Sequence, residues 1–175
     1  MGTFKKSLPV YKGNKVFSYV ILLLISVFFI SFGATDSLLA YADNNETETL
    51  ILSSAEGFFT SLKERDFKAA WNLLSEKSRK TIVDEEYGIL KGKINKEDLI
   101  KDFTSGGERF LYYWSTYIEE FDPDLVLKKA VWKMGEIKGH NAVIILHVQG
   151  DAELRMFKEG GRWKFGLVES FWTRK

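Results

Sequence analysis

The stretch that decides the fold is residues 130–167, AVWKMGEIKGHNAVIILHVQGDAELRMFKEGGRWKFGL, in which apolar and polar side chains alternate. A period of two is typical of β-strands with one buried face. Glycine-containing turns separate the runs, so we expect an antiparallel meander of four strands. The side chains expected on its buried face are Ala130, Trp132, Met134, Ala142, Ile144, Leu146, Val148, Leu154, Met156, Trp163, Phe165 and Leu167.

The alternation also predicts a register for the strands. A continuous buried face requires Val148 opposite Leu154 across a loop at Gly150-Asp151-Ala152, because a slip of one residue would bury the charged side chains. In the same way Met156 is expected opposite Trp163. On the other face this register aligns His147, Arg155 and Lys164 in one row.

The residues before Pro123 have the spacing of helices instead, with apolar side chains three and four positions apart. The predicted segments are a helix within 46–65, a short helix capped by Asp66, a segment capped by Ser75, a short helix from Asn95 to Phe103 stopped by Gly106-Gly107, and an aromatic helix over 110–121 ended by Asp122-Pro123-Asp124. The fold class is therefore α+β, with N-terminal helices packed on the concave face of a curled antiparallel sheet of four or more strands.

The N-terminus has the composition of an export signal. Residues 1–15 carry four lysines and no acid, and the 17 residues of 16–32 are mostly apolar. Leu39-Ala40-Tyr41-Ala42 has the small residues that precede a cleavage site, which predicts a signal peptide over 1–42 and one domain over 43–175, periplasmic or extracellular. The alternative is an uncleaved anchor that holds the domain at the membrane, outside the cytoplasm.

Composition excludes several kinds of site. The chain has no cysteine, two histidines and a formal net charge of +1. Disulfides and thiol nucleophiles are excluded, and a metal site built from histidines is not expected. Nucleic-acid binding normally needs a clustered basic surface, which this balance does not indicate. We therefore expect no metal, no cofactor and no nucleic-acid partner.

Three segments resemble the nuclear transport factor 2-like superfamily, particularly its small exported bacterial members. They are AEGFF over 55–59, DFKAAW over 66–71 and GGRWKF over 160–165. The resemblance implies the cone-shaped α+β fold described above. The superfamily contains isomerases, dehydratases and many modules without a reaction, so the resemblance supports the fold far more than a function.

Catalytic members of that superfamily place a carboxylate, tyrosine or histidine inside the apolar cone. The residues here that could line such a pocket are Trp71, Tyr113, Tyr117, Trp132 and Glu169. Glu136 also falls on the buried-face row, but the predicted register puts it roughly 30 Å from Glu169, too far for a carboxylate pair. No catalytic set is assigned.

One function is favoured, and two alternatives stay open. The favoured function is a non-enzymatic exported module that binds a small apolar ligand or a protein partner through the aromatic-rich cone. The alternatives are an isomerase- or dehydratase-like enzyme that uses Glu169 with Tyr113 or Tyr117, and a membrane-anchored interaction domain.

The outer sheet face carries more apolar area than a solvated face normally does, which favours a homodimer through it. The residues assigned to this partner face are Ile145, His147, Arg155, Phe157, Lys164 and Trp172.

Overall fold

The computed structural model describes residues 44–148 and 150–172, and its contacts define a compact unit that begins at Glu46. The signal peptide predicted for 1–42 lies outside the described residues, so export and cleavage stay predictions. Within the two described ranges, no helix combines the length and the apolar character needed to cross a bilayer.

Helices form the first part of the unit. Their bounds are α1 (44–63), α2 (Phe67–Leu73), α3 (Glu76–Leu90), α4 (Lys96–Ser105), α5 (Glu108–Glu120), α6 (Pro123–Lys129) and, after the sheet, α7 (Leu167–Phe171).

Three of these helices begin with the side-chain caps that the sequence predicts. The Asp66 carboxylate accepts from Ala69 N at 3.0 Å, and Ser75 Oγ accepts from Ser78 N at 3.0 Å. Asn95 Oδ1 accepts from Glu97 N at 3.0 Å. Each cap satisfies a backbone N–H that has no partner inside its helix.

A carboxylate from α4 caps α5. Asp102 Oδ1 accepts from Phe110 N at 2.8 Å, while the cap position itself is Gly107. A Cβ atom on Gly107 would lie 2.1 Å from Asp102 Oδ2, so only glycine leaves room for this contact. The predicted stop at Gly106-Gly107 is confirmed, and it also fixes α4 against α5.

Two short helices were not predicted. The sequence indicated that Asp122-Pro123-Asp124 would lead directly into a strand, but Asp122 caps α6 and Pro123 occupies its first turn. Proline suits that position because its missing N–H would have no helical partner there. Similarly, the last strand ends at Gly166 and α7 follows it, whereas the alternation predicted that the strand would continue.

The sheet has four antiparallel strands in the order β1-β2-β3-β4, and it is open. Because helices precede this antiparallel sheet, the predicted α+β class is confirmed. The strands are β1 (Val131–Lys138), β2 (Asn141–His147), β3 (Asp151–Glu159) and β4 (Arg162–Gly166). Ile144, Leu154 and Phe165 are fully buried on the face that the sequence assigned to the core. A bulge between Met134 and Ile137 reverses the parity of β1, so that Ile137 pairs with Ala142 and Glu136 is exposed.

The predicted register is wrong in both later hairpins. Leu154 pairs with Ile144 instead of Val148, and Met156 pairs with Phe165 instead of Trp163. The cause is turn length. Gly160 and Gly161 both have positive φ, 55° and 79°, and form the whole of a two-residue turn, which twists as the flanking strands do.

The free edge of β4 is covered by the segment between α2 and α3. Ser75 N donates to the Phe165 carbonyl at 2.8 Å, and Leu74 forms a parallel bridge with Phe165. From α1, Ser54 Oγ donates to the Trp163 carbonyl at 2.7 Å. These bonds satisfy an edge that would otherwise be open to another chain, and they place the start of α3 beside β4.

Aromatic rings fill the space between the helices and the sheet. Trp114 lies at the centre of this cluster and is 0% exposed. Its ring contacts six others, with centroid distances of 5.2 to 6.4 Å; they belong to Phe58, Phe67, Trp71, Phe110, Tyr113 and Tyr117. The interior of the fold is therefore packed core.

Candidate functional site

Two neighbouring clefts lie on the outside of this core. The first, about 540 Å³, is formed by α2, α3 and α4; the second, about 590 Å³, is formed by α2, α3 and the β3–β4 turn. Asn72 and Arg79 line both clefts, which makes them adjacent. The first is lined by Trp71, Asn72, Glu76, Arg79, Lys80, Val83, Asp84, Lys96, Ile100, Phe103 and Thr104; the second by Ala69, Asn72, Leu73, Arg79, Glu159, Gly160, Arg162, Trp163 and Lys164.

The floor of the first cleft is apolar. Trp71 packs against Phe103 with ring centroids 5.5 Å apart, and Val83 is buried beside them. Ile100 lies on the rim and is 46% exposed. The aromatic core thus reaches the surface at this point, where a ligand could contact it.

The charged rim of the first cleft is held together by ion pairs. Lys80 Nζ lies 2.5 Å from Asp84 Oδ2, and Lys96 Nζ lies 2.8 Å from Asp84 Oδ1. The hydrogen bonds from Lys80 and Lys96 lower the pKa of the Asp84 carboxyl below its ordinary value of 3.8. Asp84 is therefore charged at neutral pH, which suits a rim that positions a ligand better than one that transfers protons.

Three cations line the second cleft. Lys164 Nζ donates to the Asn72 carbonyl, and Arg79 and Arg162 lie nearby. Burial lowers the pKa of the Lys164 ammonium, and the charges of Arg79 and Arg162 lower it further. The Glu159 carboxylate opposes this effect, but its oxygens also accept from Glu76 N at 3.0 and 3.2 Å, at the start of α3.

The five residues predicted to line a pocket are divided between different surroundings. Trp71 lines the first cleft, whereas the other four line neither cleft. Tyr113 and Tyr117 lie one turn apart on α5 and both pack against Trp114, with centroid distances of 5.2 and 5.4 Å. Trp132 packs against Phe59 at 5.8 Å.

Glu169 lies in α7 instead of on the predicted strand. It is 6% exposed, and its carboxylate accepts from Ser75 Oγ at 2.9 Å and from Ser78 Oγ at 2.6 Å. A Cβ atom on Gly166 would lie 3.1 Å from Glu169 Oε2 and 2.5 Å from a Phe157 ring carbon, so glycine permits this approach. The carboxylate connects α7 to the first turn of α3.

Burial of two tyrosines makes the stability of the fold depend on pH. It raises the pKa of both Tyr113 and Tyr117 well above the ordinary value of 10.0, and for Tyr113 the neighbouring Tyr117 and Glu86 add to the effect. An unfolded chain loses these protons at lower pH than the folded one. Stability is thus fully present below about pH 10 and declines as the pH rises above it.

We expect the double variant Tyr113→Phe/Tyr117→Phe to lose less stability than the parent between pH 8 and about pH 11. Urea denaturation at both pH values measures the difference. The matched control is Tyr112→Phe, because Tyr112 is 66% exposed on the same helix. An equal loss in all three proteins would contradict the buried placement of the two rings.

The residues assigned to the partner face that belong to strands lie on the outer face of the sheet, but they do not form the predicted row. The predicted row of His147, Arg155 and Lys164 is absent: His147 pairs with Asp151 and contacts its carboxylate, while Arg155 pairs with Val143 and Gly166. Lys164 pairs with Phe157 and its ammonium reaches Asn72. Trp172 follows α7 and is not on a strand, whereas the other five alternate with the buried positions of their strands and lie on the outer face. A homodimer through this face stays a prediction.

Several cleft residues were not singled out from the sequence. Val83 and Lys80 on α3, Ile100 on α4, and Arg79 and Arg162 around the second cleft belong to this group. The available signal was the Lys80 and Asp84 pair at four-residue spacing after the Ser75 cap, which indicates a helix through the polar segment.

Comparisons of the chain with protein-family models, with curated proteins and with solved structures gave no match. The resemblance to the nuclear transport factor 2-like superfamily accordingly stays a prediction.

Proposed function

We propose that the domain is a non-enzymatic binding module that takes a small apolar ligand in the first cleft. The observation that carries this proposal is the apolar floor of Trp71, Val83 and Phe103 under a cleft of about 540 Å³. Ligand sites typically have volumes of about 300 to 1,000 Å³ and are lined by apolar and aromatic side chains with a few polar groups. The cleft matches this description.

The packing of the core supports a site outside the cone. Trp114 and the rings around it occupy the interior between helices and sheet, and Phe58 and Phe165 pack there at 4.8 Å. A ligand inside the cone would have to displace these rings. The first cleft needs no such displacement, because its floor already lies at the surface.

The chemistry of the polar groups supports binding over catalysis. Asp84 is fixed between two lysines, and Glu169 accepts hydrogen bonds from two serines that begin α3. A general acid or base works best with a pKa near the operating pH and with access to substrate. Asp84 is held charged and Glu169 is buried, so neither meets both conditions.

The test is binding of phenylnaphthylamine, an uncharged aromatic probe that fluoresces in apolar surroundings. Replacing Ile100 with aspartate puts a charge on the rim of the cleft, and we expect about tenfold weaker binding, a change equivalent to about 1.4 kcal/mol. Ile89→Asp is the matched control, because Ile89 is 69% exposed on α3 and does not line the cleft.

If the parent does not bind the probe, or if Ile89→Asp weakens binding as much as Ile100→Asp does, the proposal is wrong. Retention by the parent of another protein in place of the probe would favour the alternative of a protein partner.

A further inference from the structure

The second cleft has a surplus of positive charge. Arg79, Arg162 and Lys164 face one carboxylate, Glu159, whose oxygens cap the backbone of α3. Among residues 44–148 and 150–172, neither Arg79 nor Arg162 forms an ion pair. Like charges crowded in a cleft repel each other, and a bound anion would relieve that repulsion.

The donors of the second cleft also have the chemistry that an anion requires. A lysine ammonium has three N–H donors and a guanidinium has five, in a fork that matches a carboxylate, sulfonate or phosphate. The Asn72 carbonyl accepts from Lys164, which holds the ammonium at the cleft wall. Burial lowers the pKa of Lys164, and the charges of Arg79 and Arg162 lower it further, as expected where three cations share one cleft.

We infer that Arg79, Arg162 and Lys164 form a binding site for the acidic head group of an amphipathic ligand. The apolar part of that ligand lies on Trp71 in the first cleft, and this half of the inference rests on the proposed function. Arg79 and Asn72 line both clefts, so one molecule can contact both. Charge complementarity thus selects the class of ligand: a small molecule with an aromatic or aliphatic body and one anionic group.

The experiment compares two fluorescent probes on the purified protein: phenylnaphthylamine, and anilinonaphthalene sulfonate, which has the same rings plus one sulfonate. We expect the sulfonate probe to bind about tenfold more tightly, since a charge-assisted hydrogen bond stabilises only that probe. Arg162→Gln, at a residue that lines only the second cleft, should remove most of this difference and leave the uncharged probe unaffected. Salt at about 1 M should weaken only the sulfonate probe.

The matched control is Lys77→Gln, which removes an exposed cation from α3 two positions before Arg79. Lys77 lines neither cleft. This variant should change neither affinity. Thermal melting of each variant checks that the fold is intact.

The outcomes separate the two proposals. Equal affinities for both probes, or an equal effect of Lys77→Gln, would overturn the anion site and leave the apolar cleft in place. Tight binding of the sulfonate probe that depends on Arg162, without any binding of the uncharged probe, would support the anion site and refute the proposed function.

Discussion

Replacing Trp114 with alanine should lower the free energy of unfolding by about 3 to 5 kcal/mol, the range for deleting a large buried ring. The reason is its position: Trp114 is 0% exposed and contacts rings from α1, α2 and α5 itself. Alanine would leave a cavity that six neighbouring rings could close only by moving. Since domains are stable by about 5 to 15 kcal/mol, the variant would be close to unfolding.

A second substitution keeps this prediction testable if the alanine variant does not fold. Trp114→Phe retains one ring and removes the indole N–H, whose nitrogen is buried without a hydrogen-bond partner among the described residues. A buried N–H without a partner is unfavourable, so its removal offsets part of the lost packing. We expect a loss well below that of alanine, measured by urea denaturation. A melting temperature of Trp114→Ala equal to the parent's would contradict the central placement of this ring.

The alternation of the sheet was predictable because side-chain parity depends on sequence alone. Leu154 pairs with Ile144, four positions from the predicted Val148, and Phe165 replaces Trp163, two positions away, as the partner of Met156. Both errors are even numbers of residues, so the buried faces of β2, β3 and β4 were predicted correctly although both predicted cross-strand pairs were wrong. The consecutive glycines at 160–161 were the signal that could have corrected the second hairpin.

The bulge in β1 interrupts the alternation, and the sequence analysis did not predict it. It lies between Met134 and Ile137 and exchanges the two faces within one strand. The available signal was the spacing of the apolar residues, which changes from two between Trp132 and Met134 to three between Met134 and Ile137. The prediction that Glu136 lies on the buried face is therefore wrong, because the residue follows the start of the bulge and is exposed.

The clefts were harder to predict than the fold, because they arise between elements far apart in sequence. Arg79 and Arg162 meet because Ser75 N pairs with the Phe165 carbonyl, a contact that depends on β4 being an edge strand. In the same way, Trp71 was predicted as a pocket residue from its aromatic character, but the cleft beside it depends on the position of α4. The spacing of apolar residues predicts which face of a single helix is buried. It does not predict the size of a cleft between two helices.

The second large effect is expected at Glu169, whose carboxylate belongs to a closed network of hydrogen bonds. Val168 N donates to Ser78 Oγ, which donates to Glu169; Ser78 N donates to Ser75 Oγ, which donates to the other carboxylate oxygen. The carboxylate also lies at the start of α3, where the helix dipole favours negative charge. Each donor in this buried network depends on the carboxylate, directly or through a serine.

We expect Glu169→Ala to cost about 3 kcal/mol, since it leaves two buried hydroxyls without their acceptor and releases α7 from α3. Glu169→Gln, with the same shape, should cost less, because its amide oxygen still accepts from one serine. The matched control is Glu136→Ala at an exposed carboxylate, which should change stability little. In urea denaturation, we expect the loss of stability to be largest for Glu169→Ala, smaller for Glu169→Gln and smallest for Glu136→Ala.

A double-mutant cycle with Ser78→Ala decides whether the network acts as a unit. Because Ser78 and Glu169 share a hydrogen bond of 2.6 Å, the double variant should lose less stability than the two single losses added together. Additive losses would contradict the network. The same variants bear on the enzymatic alternative: if Glu169 holds α7 on α3, then Glu169→Gln should bind the uncharged probe as the parent does. Weaker binding by a well-folded Glu169→Gln would instead connect this carboxylate to the ligand site.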